Sequence, residues 1–548
     1  MTDREAAMVE HVPAGSPNRV PPRLVTRAIA ASAIGNATEW FDYGIYAYGV
    51  TYISAALFPG EADRAILFAL ATFAISFVVR PLGGLFWGPL GDRYGRKSVL
   101  ATTIIIMSAA TAGVGLIPSY DTIGFWAPLL LVVLRMVQGF STGGEYGGAA
   151  TFMAEYAPDH QRGLCGSFLE FGTLAGYSLG ALLMLTFSML LGDPRMHEWG
   201  WRLPFLVAAP LGFIGMYLRS RMEDTPVFRE VEQAGMREPG TKSELRHLIV
   251  GHWPRLLTLG GLVVALNVVN YTLLSYMPTY LVRRIGLTTN EALLVPILGM
   301  LFMMIFVPLA GALSDRIGRK PLWWASLIAL FVLAVPLFQL MATGLPGAIV
   351  GFALLGLCYV PQLATISATF PAMFPTPVRF AGFAIAYNIS TSLFGGTAPL
   401  VNSWMIGVTG DELVPAYYMM AACVVGAIAL GAVVETAGHS LRGTQIPGLP
   451  DPDPAPSAEG IGVAAARSYP KRSMQGPIAT AGTHDSRPMS DGISSTGAAQ
   501  MQAQAEKFRT AANRARNAAI RGRLLQLARD YDEEAENLRP APQVSDRS

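Results

Sequence analysis

Hydrophobic and polar positions alternate along this chain in long blocks rather than in short periods. Apolar stretches fill 28–57, 65–90, 98–117, 124–153, 163–191, 203–220, 256–281, 292–313, 321–342, 346–373, 379–407 and 414–435. Each reaches the roughly 17–25 residues with which a helix crosses the hydrocarbon core of a bilayer. One long polar stretch, 221–253, interrupts the series in its middle, and a polar tail of residues 1–27 precedes it. The pattern predicts an all-α membrane protein with twelve transmembrane helices in two six-helix bundles, 28–220 and 254–436.

Basic residues sort the connections. DRYGRK (92–97), Arg162, the central polar stretch, DRIGRK (315–320) and Arg379 occupy alternate connections, whereas the opposite set holds Arg64, Arg195, Arg202, Arg283 and Arg284. By the positive-inside rule the first set is cytoplasmic, and with an even number of spans both termini are too. A multi-pass protein of the bacterial cytoplasmic (inner) membrane is expected.

Composition narrows the function. Of 548 residues, 52% are hydrophobic and 14% charged, where a soluble protein carries about a quarter charged. A net charge of +2 supplies no basic face for nucleic acid. Cys165, Cys358 and Cys423 have no paired spacing, so neither a disulfide framework nor a metal site is expected. The absence of a Walker loop or GxSxG motif argues against an enzyme and against any cofactor, leaving an ion gradient as the energy source.

Beyond residue 436 the character changes again. Residues 437–499 are rich in Pro, Gly, Ser and Ala and read as a disordered linker. Residues 500–538 read as a cytoplasmic helix with Ala-rich seam positions at 501, 505, 508, 512, 515 and 519, a weak coiled-coil spacing. Its early residues are basic and its late ones acidic, which opposes the helix macrodipole. Antiparallel pairing would set basic against acidic ends, which makes this helix a candidate homodimer contact.

Charges inside the apolar stretches cost at least ~2.5–3.5 kcal/mol each, so each calls for a partner or a function. Glu39 and Asp42 lie three residues apart near mid-membrane, with Tyr43 and Tyr46 along the same stripe. Arg80 and Arg135 are their candidate counter-charges. A carboxylate that alternates between an arginine and a dry site binds a proton in one state and releases it in the other; a permanent ion pair that only fixes packing is the plainer alternative. Glu145 could line a cavity or tie helices together, and Glu170 reads as a packing hydrogen-bonder. A substrate site is expected at the midplane between the halves, with Trp40, Tyr43, Tyr46, Glu145, Asn267, Asn270, Tyr271 and Asn388 as candidate contacts. Aromatic faces suit a cation, and arginine or amide groups suit a carboxylate.

An internal repeat connects these features. GPLGDRYGRKSVL (88–100) and GALSDRIGRKPLW (311–323) share Gly, Asp-Arg and Gly-Arg-Lys at equal spacing, as parallel transporter repeats do. These loops resemble the signature of the major facilitator superfamily, and RMVQGFSTGGE (135–145) resembles its fourth-helix motif. GNATEWFDYGIY (35–46), RPLGG (80–84), GEYGGA (144–149) and PAMFPTPVR (371–379) look like its metabolite:proton symporter branch. IPSYDTIGFWAPLLL (117–131), MEDTPVF (222–228) and PAYYMM (415–420) look most like that branch's proline/betaine carriers. The resemblance covers about residues 28–436.

It implies a proton symporter that imports a small zwitterion such as proline or glycine betaine by alternating access. A carboxylate such as 2-oxoglutarate, citrate or shikimate is the alternative passenger, and a non-transporting membrane sensor a distant one. It also implies proton coupling by Glu39, Asp42, Arg80 and Arg135, with Asp42 paired to Arg135. A cytoplasmic gate of salt bridges would be formed by Asp92, Arg93, Arg96, Glu155, Arg162, Asp315, Arg316 and Arg319.

Overall fold

The computed structural model describes residues 22–94, 96–143, 145–220, 242–375 and 379–441, with residues 502, 505, 506, 509, 525, 528, 529 and 532 of the C-terminal segment. The side chains of 22–28, 31, 88, 89, 91–100, 156, 218–220 and 242–250 lie outside that description. Among the described residues there is no strand.

The first half contains α1 (Pro22–Leu57), α2 (Ala62–Tyr94), α3 (Arg96–Gly115), α4 (Trp126–Thr142), α5 (Glu145–Tyr156), α6 (Arg162–Leu191) and α7 (Ala208–Ser220). The second half contains α8 (Lys242–Tyr271), α9 (Thr289–Ile317), α10 (Arg319–Met341), α11 (Leu345–Thr369), α12 (Arg379–Ser390), α13 (Ala398–Thr409) and α14 (Val414–Gly431). Among the described residues, eight helices are long and apolar enough to cross a membrane. The first helix is long enough, but its acids and tyrosines hold its hydropathy down.

Some expected single spans are interrupted. The stretch 379–407 divides into α12, a π-turn at Thr391–Gly395 and α13. A further π-turn at Thr272–Tyr276 follows α8. Each π-turn inserts a residue and offsets the backbone hydrogen bonds, a local cost that helices tolerate mostly at functional sites. Residues 242–253, expected within the central loop, begin α8, which kinks at His252 just ahead of Pro254; the proline ring removes a donor and crowds the preceding turn.

Two backbone contacts set the rotation of the functional helices. A Cβ at Gly176 in α6 would lie 2.2 Å from the Ala37 carbonyl oxygen of α1, and one at Gly139 in α4 would lie 1.7 Å from that of Ser76 in α2. Only glycine permits these approaches, the small-residue packing typical of membrane helices. They place Asn36 of α1 against α6, and Arg80 and Arg135 on facing helices. Across the halves, α6 packs along α9. The start of α9 is fixed by a capping box, in which Glu291 N donates to Thr288 Oγ1 (3.3 Å) and Thr288 N donates to Glu291 Oε2 (2.9 Å).

The chain divides into residues 1–453 and 454–548. The His439 and Leu441 carbonyls, in the stretch expected to open the linker, accept from Arg162 and Arg379. In the second unit Arg509 makes ion pairs with Glu506 and with Asp532. The helix expected over 500–538 lies mostly outside the described residues.

Candidate functional site

The four intramembrane charges of the first half converge, but their pairing differs from the expectation. Glu39 pairs with Arg80, whose Nη2 donates to its Oε1 at 2.6 Å, both side chains being 1% exposed. Arg135 instead donates to Gln138 Oε1 (2.8 Å) and Ser76 Oγ (3.1 Å), and its guanidinium lies over the Tyr46 ring at 4.1 Å. Asp42 is buried with Thr111 and Arg135 close by, yet neither of its oxygens has a hydrogen-bond partner among the described residues. The physical reason is angular. At about 100° per residue, Asp42 and Glu39 point to different edges of α1, so the second-helix arginine meets only the latter.

An aromatic cluster lies beside these charges. The Trp40 ring centroid is 5.8 Å from Tyr43, 5.4 Å from Tyr177, 6.1 Å from Tyr271 and 6.5 Å from Tyr146. Phe77 approaches Tyr43 at 4.9 Å and Tyr271 at 5.1 Å. Tyr146 stacks on Tyr387 of the second half at 4.7 Å. All are buried. Tyr43 and Tyr46 already hold the protein's own cations, since Arg80 lies 5.3 Å and Arg135 5.5 Å from the Tyr43 centroid. The faces around Trp40, Tyr177 and Tyr271 adjoin this pair instead. The Tyr271 hydroxyl is buried and has no hydrogen-bond partner among the described residues.

The remaining candidates are dispersed. Asn267 donates to Thr391 Oγ1 (2.7 Å), beside a π-turn, and Asn270 accepts from the Tyr359 hydroxyl (3.1 Å). Asn388 donates to the Gly143 carbonyl across the halves (2.8 Å). Glu145 is buried at the start of α5.

At the end of the bundles that carries the DRIGRK loop, Asp315 of the second half sits on the N-terminus of α6 and accepts from Gly163 N (2.7 Å) and Leu164 N (2.9 Å). This is the anion position that a helix N-terminus favours. Arg319 reaches Asp315 (3.4 Å), Arg162 pairs with Asp159, and Arg379 pairs with Glu155 at 3.3 Å. Arg316 is exposed, and the side chains of Asp92, Arg93 and Arg96 lie outside the described residues.

Sequence reasoning missed a strap in this region. After α14 the chain crosses these residues: Lys320 Nζ donates to the Val433 carbonyl, Arg319 to Thr436 Oγ1 (3.1 Å), Arg162 to the His439 carbonyl (3.1 Å) and Arg379 to the Leu441 carbonyl (2.9 Å). Leu441 packs on Ala154 and Ala372, one from each half. Glu435 accepts from the backbone N–H groups of Lys320 (2.9 Å), Thr436 (2.9 Å) and Ala437 (3.0 Å). Burial pushes its carboxyl up, but these donors outweigh burial and hold it below the usual carboxylate range.

The Tyr177, Phe73 and Phe77 contributions were also missed, although Phe73, Phe77 and Arg80 follow a helical stripe readable in the sequence.

Comparison with known proteins bears on the family and the fold. The Major Facilitator Superfamily profile matches residues 33–399. The proline/betaine transporter of Escherichia coli (strain K12) is 45% identical over 427 residues, 76% of this chain and 85% of that protein. The glycine betaine/proline/ectoine/pipecolic acid transporter of Dickeya dadantii (strain 3937) is 45% identical over 426 residues, again 76% and 85%. Among solved structures, the proton:xylose symporter XylE bound to 6-bromo-6-deoxy-D-glucose matches in fold with TM-score 0.61 and 19% identity, over 76% of this chain and 98% of that one. From its repeated loops, its helical architecture and these matches, the chain belongs to the major facilitator superfamily.

Proposed function

We propose that this protein is a proton-coupled symporter that carries a small zwitterion, proline or glycine betaine, across the bacterial inner membrane by alternating access. The observation that carries the reading is the buried Asp42 carboxylate without a bonded partner, set on the same helix as the Glu39–Arg80 pair and the Trp40 cluster. A buried carboxylate without a hydrogen bond is expensive even with Arg135 close by, and a proton on Asp42 removes that charge. The aromatic faces of Trp40, Tyr177 and Tyr271 are suited to the cationic end of a zwitterion. The Tyr271 hydroxyl is suited to its carboxylate. Glu39 and Arg80 then serve as a fixed ion pair, and Arg135 as the charge facing Asp42.

The named relatives support the substrate class. Twelve spans with both termini in the cytoplasm complete the reading, and transport needs no cofactor beyond the proton gradient. Gate opening separates Asp315 from α6 and Arg379 from Glu155. Homodimer pairing through residues 500–538 would compete with the Arg509–Asp532 contact within one chain, and sedimentation in detergent with and without that segment distinguishes the two.

Proteoliposomes with an imposed inward proton gradient test the function. Labelled proline and glycine betaine should accumulate above equilibrium and 2-oxoglutarate should not. Accumulation of 2-oxoglutarate alone would reassign the passenger to the carboxylates, and no accumulation of any of the three would overturn the transport reading.

A further inference from the structure

Glu170 in α6 is a third buried acid in the first half, 2% exposed, and the proton-coupling set does not use it. Both of its oxygens are engaged, and each leads to a wall of the aromatic cluster. Oε1 accepts from the Tyr146 hydroxyl, and Tyr146 meets Trp40 edge-on at 88° while stacking on Tyr387. Oε2 accepts from the Thr173 hydroxyl at 3.0 Å. Thr173 Oγ1 in turn accepts from Asn36 Nδ2 at 2.7 Å, and Asn36 Oδ1 accepts from the Trp40 indole N–H at 3.1 Å. A second Asn36 bond, to the Leu169 carbonyl at 2.7 Å, anchors the same amide nitrogen on α6.

The direction of this chain is fixed by chemistry. The Thr173 hydroxyl donates to Glu170, so its oxygen is left to accept from an N–H. Together with the Leu169 carbonyl, which only accepts, that oxygen holds the NH2 of Asn36 toward α6, and the indole, which can only donate, takes the Asn36 carbonyl. Every polar group in the line is buried, where a mismatched donor has no water to turn to. No other orientation of the Asn36 amide satisfies all three partners.

The geometry points to Glu170 as a positioning residue for the substrate's cationic end: it fixes the orientation of Trp40 through Thr173 and Asn36, and of Tyr146 directly. This rests on the zwitterion reading of the cluster. Glutamine at 170 presents a donor to one of two hydroxyls that now donate, so one arm must turn its proton elsewhere. Thr173→Val cuts only the Trp40 arm, and Tyr146→Phe only the other. Because Glu170 touches Tyr146, reaches Trp40 only through Thr173 and Asn36, and does not touch the passenger, its loss should appear in KM more than in kcat.

The test is glycine betaine uptake into proteoliposomes at a saturating proton gradient, with the near-ultraviolet circular dichroism of each purified protein. The dichroic signal that Trp40→Phe removes serves as the Trp40 signature. Glu170→Gln and Thr173→Val are expected to raise KM by about fivefold to tenfold, the range set by one buried hydrogen bond, with kcat within about twofold. Both should alter the Trp40 signature, and Thr173→Ser should restore KM and signature relative to Thr173→Val. Wild-type KM and an unchanged signature in Glu170→Gln would overturn the proposal. So would loss of gradient-driven accumulation with normal counterflow KM, which would make Glu170 a proton carrier instead. If Glu170→Gln does not fold, Thr173→Val alone decides by the same readouts. Should the wild-type protein carry no zwitterion, the function fails, while the dichroic comparison still judges the relay.

Discussion

Asp315 caps a helix of the opposite half: its two oxygens accept from Gly163 N at 2.7 Å and Leu164 N at 2.9 Å. The contact joins the repeated DRIGRK loop of the second half to the first turn of α6. Because α6 and α9 belong to different halves, separating the two halves at this end would break it. Cys165 follows directly and is 6% exposed, which makes it a reporter of closure. In a background with Cys358 and Cys423 replaced by serine, Asp315→Asn should speed alkylation of Cys165 by about tenfold or more, since hydrogen bonds to a charged group contribute roughly 1.5–3 kcal/mol. Alkylation at the unaltered rate would remove this contact from the gate.

The Glu39–Arg80 pair predicts a different kind of loss. Removing one member of a buried ion pair leaves the other uncompensated, at a cost of about 3–5 kcal/mol. Glu39→Gln and Arg80→Gln should each lower thermal stability in detergent, and the double variant should lose less than the sum of the two. Strict additivity would show that the two side chains do not stabilise one another.

Asp42 behaves oppositely. With no bonded partner among the described residues, its carboxylate contributes no hydrogen bond that Asp42→Asn would remove. That variant should keep the stability of the wild-type protein or exceed it, and retain substrate counterflow, yet lose accumulation driven by a proton gradient. Retained accumulation would transfer the coupling role elsewhere, with Glu39 the next acid to test.

These contrasts show what a sequence discloses about a site of this kind. Glu39, Asp42, Arg80 and Arg135 are legible because a charge within an apolar stretch is expensive wherever the helix turns. Which acid meets which arginine is not legible, because it depends on helix rotation set by backbone contacts at Gly139 and Gly176. The role of Tyr46 is obscured for a related reason: its aromatic character suits a ligand, but Arg135 already lies over its face. Arg379 reads as a topology signal, since a basic residue at a helix end satisfies the positive-inside rule whether or not it meets Glu155. The strap at 433–441 escapes because the gate holds it largely by its carbonyls, which no side-chain pattern announces. The long apolar blocks give the helical class outright, while π-turns such as Thr272–Tyr276 leave no mark on hydropathy.

The strap yields the last prediction, with a defined pH dependence. The Glu435 carboxyl is held below its ordinary range despite burial, because backbone N–H groups from Lys320, Thr436 and Ala437 converge on it. A depressed folded-state value means that its stabilising contribution is fully present above the unfolded value of about 4.3 and lost as pH falls through the folded one. At neutral pH the strap is therefore at full strength, and only strong acid should loosen it through this group. Glu435→Gln should release it at neutral pH as well, since a neutral amide accepts less strongly and adds donors facing those N–H groups. The variant should alkylate Cys165 several-fold faster than the wild-type protein at pH 7, and the difference should persist down to about pH 4 and shrink only as the pH falls below it. A rate difference that grows on acidification would contradict this sign, and equal rates at pH 7 would show that the strap does not brace the gate.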